Sequence, residues 1–150
     1  MSKTALKITG FDEIFRGLAG PPTVYDPLIC CLYDYDNPPR FAEPMPRDPR
    51  PEVGQLVDSN FAEVVRAAIA LNEAIHDGAI MAAVDNHSRC TIKGWSYRLF
   101  PPPAEIPPPP NKGSAFNSCA AMSLVPGVLA LYLVSKGSAW RFERGGVDRL

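Results

Sequence analysis

Apolar and polar positions alternate along this chain with two periods, and the breaks between them fall at glycine, proline, asparagine and aspartate. Phe11, Ile14, Phe15 and Leu18 recur every three or four positions, which predicts a short amphipathic helix over 11–18. Gly20-Pro21-Pro22 stops it. Residues 28–33 form a continuous apolar run between turn formers, the pattern of a buried strand. Residues 34–54 carry prolines at short intervals and charges of both signs, and read as a loop that lies over the sheet or docks a partner. A clearer helix follows. Asp58, Ser59 and Asn60 are candidate N-caps and Glu63 suits the positive end of the dipole. Phe61, Val64, Val65, Ala68, Leu71 and Ile75 then fall mostly on one face, with an end expected near Ala74.

The second half reads mostly as strands. Residues 79–84 are apolar, 85–88 are turn formers, and 89–97 alternate, with Cys90, Ile92 and Gly94 against Arg89, Thr91, Lys93 and Trp95. This predicts a hairpin. Residues 100–112 are a second proline-rich loop, in part polyproline II. Gly113-Ser114 opens a short helix through Met122. After the Pro126-Gly127 turn, 128–135 is wholly apolar and therefore central in a sheet. Lys136-Gly137-Ser138 turns into a strand over 139–143, and Arg144-Gly145-Gly146 closes the chain. The sum is an α/β fold, a mixed twisted central sheet flanked by helices.

Composition narrows the function classes. A chain of 150 residues fits one domain, residues 1–150, with a core of its own. Its formal net charge of -1 gives no basic field for a nucleic-acid polymer. Cys30, Cys31, Cys90 and Cys119 form no C-x-x-C pair and read as buried thiols in a reducing compartment. Residues 1–5 lack the apolar core of a signal peptide, and the apolar run 128–134 is far shorter than a membrane span. The expectation is a cytoplasmic protein with no membrane partner.

Candidate chemistry is sparse. There is no Walker pattern and no G-x-S-x-G, and His76 and His87 have no metal-ligand spacing to the cysteines. Asp77-Gly78 between a helix and a strand is, by itself, a turn. Gly113-Ser114 at a helix start is either a cap or an anion site, to which Lys112 and Lys136 would add point charges. Trp95, Tyr97 and Phe100 either pack in the core or offer rings to a ligand.

Taken in order, Ile75-His76-Asp77-Gly78-Ala79, then Gly113-Ser114 with Ala120-Ala121, then the apolar run ending in Ser135-Lys136 resemble the core of the diadenylate cyclase domain. That domain condenses two ATP molecules into cyclic di-AMP. The resemblance spans roughly residues 54–150 and implies a sheet with helices on both faces. In the family, the aspartate of Asp-Gly-Ala lies near the ribose 3′-hydroxyl, a role that falls on Asp77. The family's Gly-Thr-Arg-His-Arg-Ala-Ala holds the triphosphate, but here Ala115, Phe116, Asn117 and Ser118 stand in its basic segment. Charge-assisted contacts are about twice as strong as neutral hydrogen bonds, so the loss weakens triphosphate binding sharply. The family's Ser-Glu, whose glutamate lies near the metal, becomes Ser135-Lys136.

The resemblance therefore implies a catalytically degenerate member that binds a nucleotide or nucleotide second messenger as a sensor. Asp77, Gly78, Ala79, Gly113, Ser114 and Ser135 would shape its pocket. Asn117 and Ser118 would supply neutral hydrogen bonds, and Trp95 and Tyr97 would stack on a base. No metal or cofactor is implied, with magnesium or manganese needed only if catalysis persists. Two other readings stand beside it. One is an assembly module that pairs with itself or a protein partner through the face that cyclases use for pairing. The other is an active cyclase with replaced residues.

Overall fold

The computed structural model describes residues 10–21, 26–105, 107 and 109–150. Seven strands make one sheet: β1 (Leu28–Asp34), β2 (Ala42–Pro44), β3 (Ala79–Val84), β4 (Cys90–Leu99), β5 (Val128–Ser135), β6 (Ser138–Glu143) and β7 (Gly146–Arg149). Their order is β2-β4-β3-β1-β5-β6-β7. Only β1 and β3 run parallel; every other neighbouring pair is antiparallel. Among the described residues the sheet is flanked by α1 (Phe11–Leu18), α2 (Phe61–Leu71) and α3 (Ser114–Met122).

The two faces of the sheet hold two separate apolar layers. α1 and α2 press Phe15, Phe61 and Val65 onto Cys30, Leu32, Ile80 and Tyr132. α3 presses Phe116, Cys119 and Met122 onto Cys31, Met81, Leu131 and Phe142. Adjacent side chains on a strand point to opposite faces, so Cys30 and Cys31 enter different layers. β3 and most of β5 are buried on both sides, which is why they read as unbroken apolar runs. No helix among the described residues is long and apolar enough to cross a membrane.

Several sequence expectations need correction. α2 ends at Leu71, which is half-exposed, and not near Ala74. Asn72 takes extended backbone, and its side chain accepts a bond from Ala74 N that starts a short 3₁₀ turn, Glu73–His76. That turn drops Ile75 into the core. The proline-rich stretch 34–54 is not all loop, because β2 pairs with β4. The chain does not close at Arg144-Gly145-Gly146: Arg144 and Gly145, both at positive φ, turn it into β7, the far edge of the sheet. Pro22, Ile106 and Pro108 lie outside the described residues.

The largest correction concerns β4. Its pairing with β3 shifts register on both sides of Met81, and Ser96 sits at φ 59. The strict alternation is lost there. Trp95 turns inward beside Ile92 in the α1–α2 layer, only 1% exposed, and its indole donates to Glu52 O at 2.9 Å.

Candidate functional site

The Asp77-Gly78 turn leads from the 3₁₀ segment into β3. Gly78 has φ +97, and a Cβ there would meet Met45 Cε at 2.5 Å and Tyr97 O at 2.8 Å. Only glycine meets both demands. The backbone of this turn is held from two sides. Ser96 Oγ donates to Asp77 O, and Arg47 Nε donates to Ser96 Oγ at 3.0 Å. Arg47 Nη2 also faces Asp77 Oδ2 at 3.5 Å. Met45 N donates to Ser96 O at 3.1 Å, so the segment after β2 is stapled along the β4 irregularity.

Beside the turn lies a cleft of about 350 Å³. Asp77, Gly78 and Ala79 form one wall with His76 and Met45. Ser114, Ala115 and Ser118 of α3 form the facing wall. Ser114 and Ser118 are four apart, hence on one side of the helix, while Phe116, Cys119 and Met122 go to the core. α3 starts at Gly113 with no side-chain cap, so a ligand can satisfy its first amides. Tyr97, Arg98 and Leu99 of β4 and Ile29 of β1 complete the cleft with Asp26 and Pro27.

Six of the sequence-predicted site residues thus meet: Asp77, Gly78, Ala79, Ser114, Ser118 and Tyr97. Gly113, Asn117, Ser135 and Trp95 are not among the lining. Trp95 is spent on the core of the opposite layer, so it offers no ring to the cleft. Asn117 faces the other side of α3, where it lines an apolar cavity of about 1060 Å³ with Phe41, Phe116 and Leu124. Ser135 acts on the cleft indirectly: its Oγ donates to Asp26 Oδ1 at 2.8 Å, and Lys136 N donates to Asp26 Oδ2 at 2.7 Å. Lys112 is drawn away from the cleft, with its ammonium 5.2 Å from the Phe116 ring and 5.1 Å from the Trp140 ring.

Sequence reasoning missed Asp26, Met45, Arg47 and Arg98. Asp26 stands before Pro27 and looks like a turn former. Arg47 lies in a proline-rich stretch with no periodicity to place it. Among the described residues no group of three His, Cys, Asp or Glu side chains could hold a metal ion.

No family model matches the chain, and neither does any curated protein. Solved structures do share its fold. A double mutant of DacA from Staphylococcus aureus, a diadenylate cyclase, superposes with a TM-score of 0.57 at 14% identity, covering 97% of this chain and 86% of DacA. A hypothetical membrane spanning protein from Bacillus cereus superposes with a TM-score of 0.60 at 11% identity. There the match covers 99% of this chain but 64% of the other. The fold is that of a diadenylate cyclase.

Proposed function

We propose that this chain is a catalytically degenerate diadenylate-cyclase-like domain that binds a nucleotide or nucleotide second messenger and serves as a sensor. One observation carries the reading. Asp77-Gly78-Ala79 and the start of α3, far apart in sequence, face each other across a single cleft with Tyr97 beside them. The volume sits at the low end of small-ligand pockets, roughly 300–1,000 Å³. Degeneracy rests on the replaced signatures. Ala115, Phe116, Asn117 and Ser118 supply no cation where a triphosphate would need one, and Lys136 puts an ammonium where a metal site would need a carboxylate. Phe116 and Trp95 are core residues and leave the cleft open, which favours ligand binding over a purely assembling role.

The test is a thermal-shift screen of the purified protein against ATP, nucleoside monophosphates and cyclic dinucleotides, with and without magnesium. Ligand at 100 times its dissociation constant adds about 2.7 kcal/mol of stability, a clear upward shift. The reading predicts a shift that disappears in Asp77→Ala and Ser114→Ala. A flat response to the whole panel removes the sensor reading. Formation of a cyclic dinucleotide from ATP, abolished by Asp77→Asn, replaces it with an active enzyme.

A further inference from the structure

We infer that the chain carries a second ligand site, separated from the cleft by α3, which takes an uncharged, mainly apolar molecule bearing one hydroxyl or N–H group. Ser114, Ala115 and Ser118 line the cleft, whereas Asn117, Ala120 and Ala121, continued by Leu124, line the cavity of about 1060 Å³. Positions 117, 120, 121 and 124 follow the spacing of three and four that puts side chains on one helical face. Phe41, Pro102, Pro103 and Val147 add apolar surface from other parts of the chain. The cleft and the cavity share no lining residue, so this site goes beyond the nucleotide reading and does not depend on it.

The wall sets the chemistry of the ligand. Leu124 and Val147 are 53% and 39% exposed, so the chain itself leaves apolar surface uncovered here. The volume reaches the upper end of small-ligand pockets, roughly 300–1,000 Å³, which is room for a body of fused rings. The lining holds one acid, Glu105, and one base, Arg144, so no net charge selects an ion. Its one uncharged polar side chain is Asn117. Asn117 Oδ1 is closed off from solvent and has no hydrogen-bond partner among the described residues. A buried carbonyl oxygen without a donor is costly, and few are left so in folded proteins. The side chain is short and stands on the cavity face of α3, and the terminal torsion of an asparagine is broad. A modest turn of the amide therefore brings the oxygen to a donor seated in the cavity. A ligand with a hydroxyl or N–H pairs that oxygen, and one without leaves it orphaned.

Calorimetric titration with 2-naphthol and with 2-methylnaphthalene, which lacks the donor, tests the inference. Both probes should bind the native protein. Asn117→Leu should weaken 2-naphthol about five-fold relative to 2-methylnaphthalene, the worth of one hydrogen bond. Retained binding of 2-methylnaphthalene shows that this variant is folded. Ala121→Trp fills the cavity and should abolish binding of both probes while the circular dichroism spectrum stays native. Should that variant fail to fold, nuclear Overhauser contacts from 2-naphthol to the Ala120 and Ala121 methyls of the native protein locate the probe instead. Failure of both probes to bind, or binding that persists in a folded Ala121→Trp or shows no contact to those methyls, overturns the site. An unchanged ratio of the two affinities in Asn117→Leu overturns the role of Asn117. None of these outcomes bears on nucleotide binding in the cleft.

Discussion

Phe15 of α1 stacks on Tyr132 of β5, with ring centroids 4.1 Å apart and planes 5° from parallel. Phe15 is fully buried and also meets Phe61 of α2 edge-on at 5.5 Å. One side chain therefore joins both helices of that face to β5, the neighbour of the central strand β1. Tyr132 is fixed in turn by its hydroxyl, which donates to Asp12 Oδ1 at 2.5 Å, while Arg141 holds the other carboxylate oxygen. Phe15→Ala should destabilise the protein by about 3–5 kcal/mol, the usual cost of removing a buried ring. Urea unfolding followed by circular dichroism measures it. A loss below about 1 kcal/mol would mean that α1 does not dock as described.

Buried thiols set a second expectation. Desolvation pushes Cys31 and Cys90 from their ordinary value of 9.0 up to about 12, and raises Cys30 and Cys119 well above it. Above pH 9 the unfolded chain releases thiol protons that the folded chain still holds. Stability is thus fully present below pH 9 and falls as pH rises toward 12, by about 1.4 kcal/mol per pH unit for each thiol. Unfolding free energies in reductant should change little from pH 8 to 9 and drop steeply from pH 9 to 10, and a Cys31→Ala variant should show a shallower slope above pH 9. Equal stability at pH 9 and 10 would contradict the burial of these groups.

Gly78 ties stability to the candidate site. Gly78→Ala forces a side chain into positive φ and against Tyr97 O, so it should cost about 1–3 kcal/mol. The displaced turn also moves Asp77 away from Ser96 and Arg47. Any ligand found in the screen should therefore bind Gly78→Ala far more weakly even under conditions where the variant is folded. Native affinity in this variant would place the ligand elsewhere.

How much of this was legible in the sequence depended on the origin of each signal. α1 and α3 were bounded correctly, as were β3 and β5, because helical periodicity, a Gly-Ser start and unbroken apolar runs are local. β2 and β7 were missed because they are short edges, mostly exposed, and exist only through pairing with β4 and β6. Trp95 was misassigned because its orientation follows from a register shift between β3 and β4 that no alternation rule foresees. Gly94 marks that place: a Cβ there would lie 2.2 Å from Tyr97 Cε1. At the site, the Asp-Gly turn and the start of α3 were readable as backbone chemistry. Arg98 and Asp26 were not, since Arg98 lies on a β4 that is placed only in the folded sheet, and Asp26 is held before β1 by Ser135 and Lys136 from the distant end of β5.

The position of β1 has a consequence for the order in which the protein can be made. Ile29 pairs with Ala79 on one side and with Leu133 on the other, so the middle of the sheet closes only when its last third is present. A nascent chain that stops before Val128 leaves the whole β5-facing edge of an apolar strand unpaired. Such an edge is a template for joining other chains. Contacts so distant along the sequence also form slowly. Emergence from the ribosome is therefore the vulnerable interval, and fragments cut between α3 and β5 should aggregate more readily than the chain of residues 1–150.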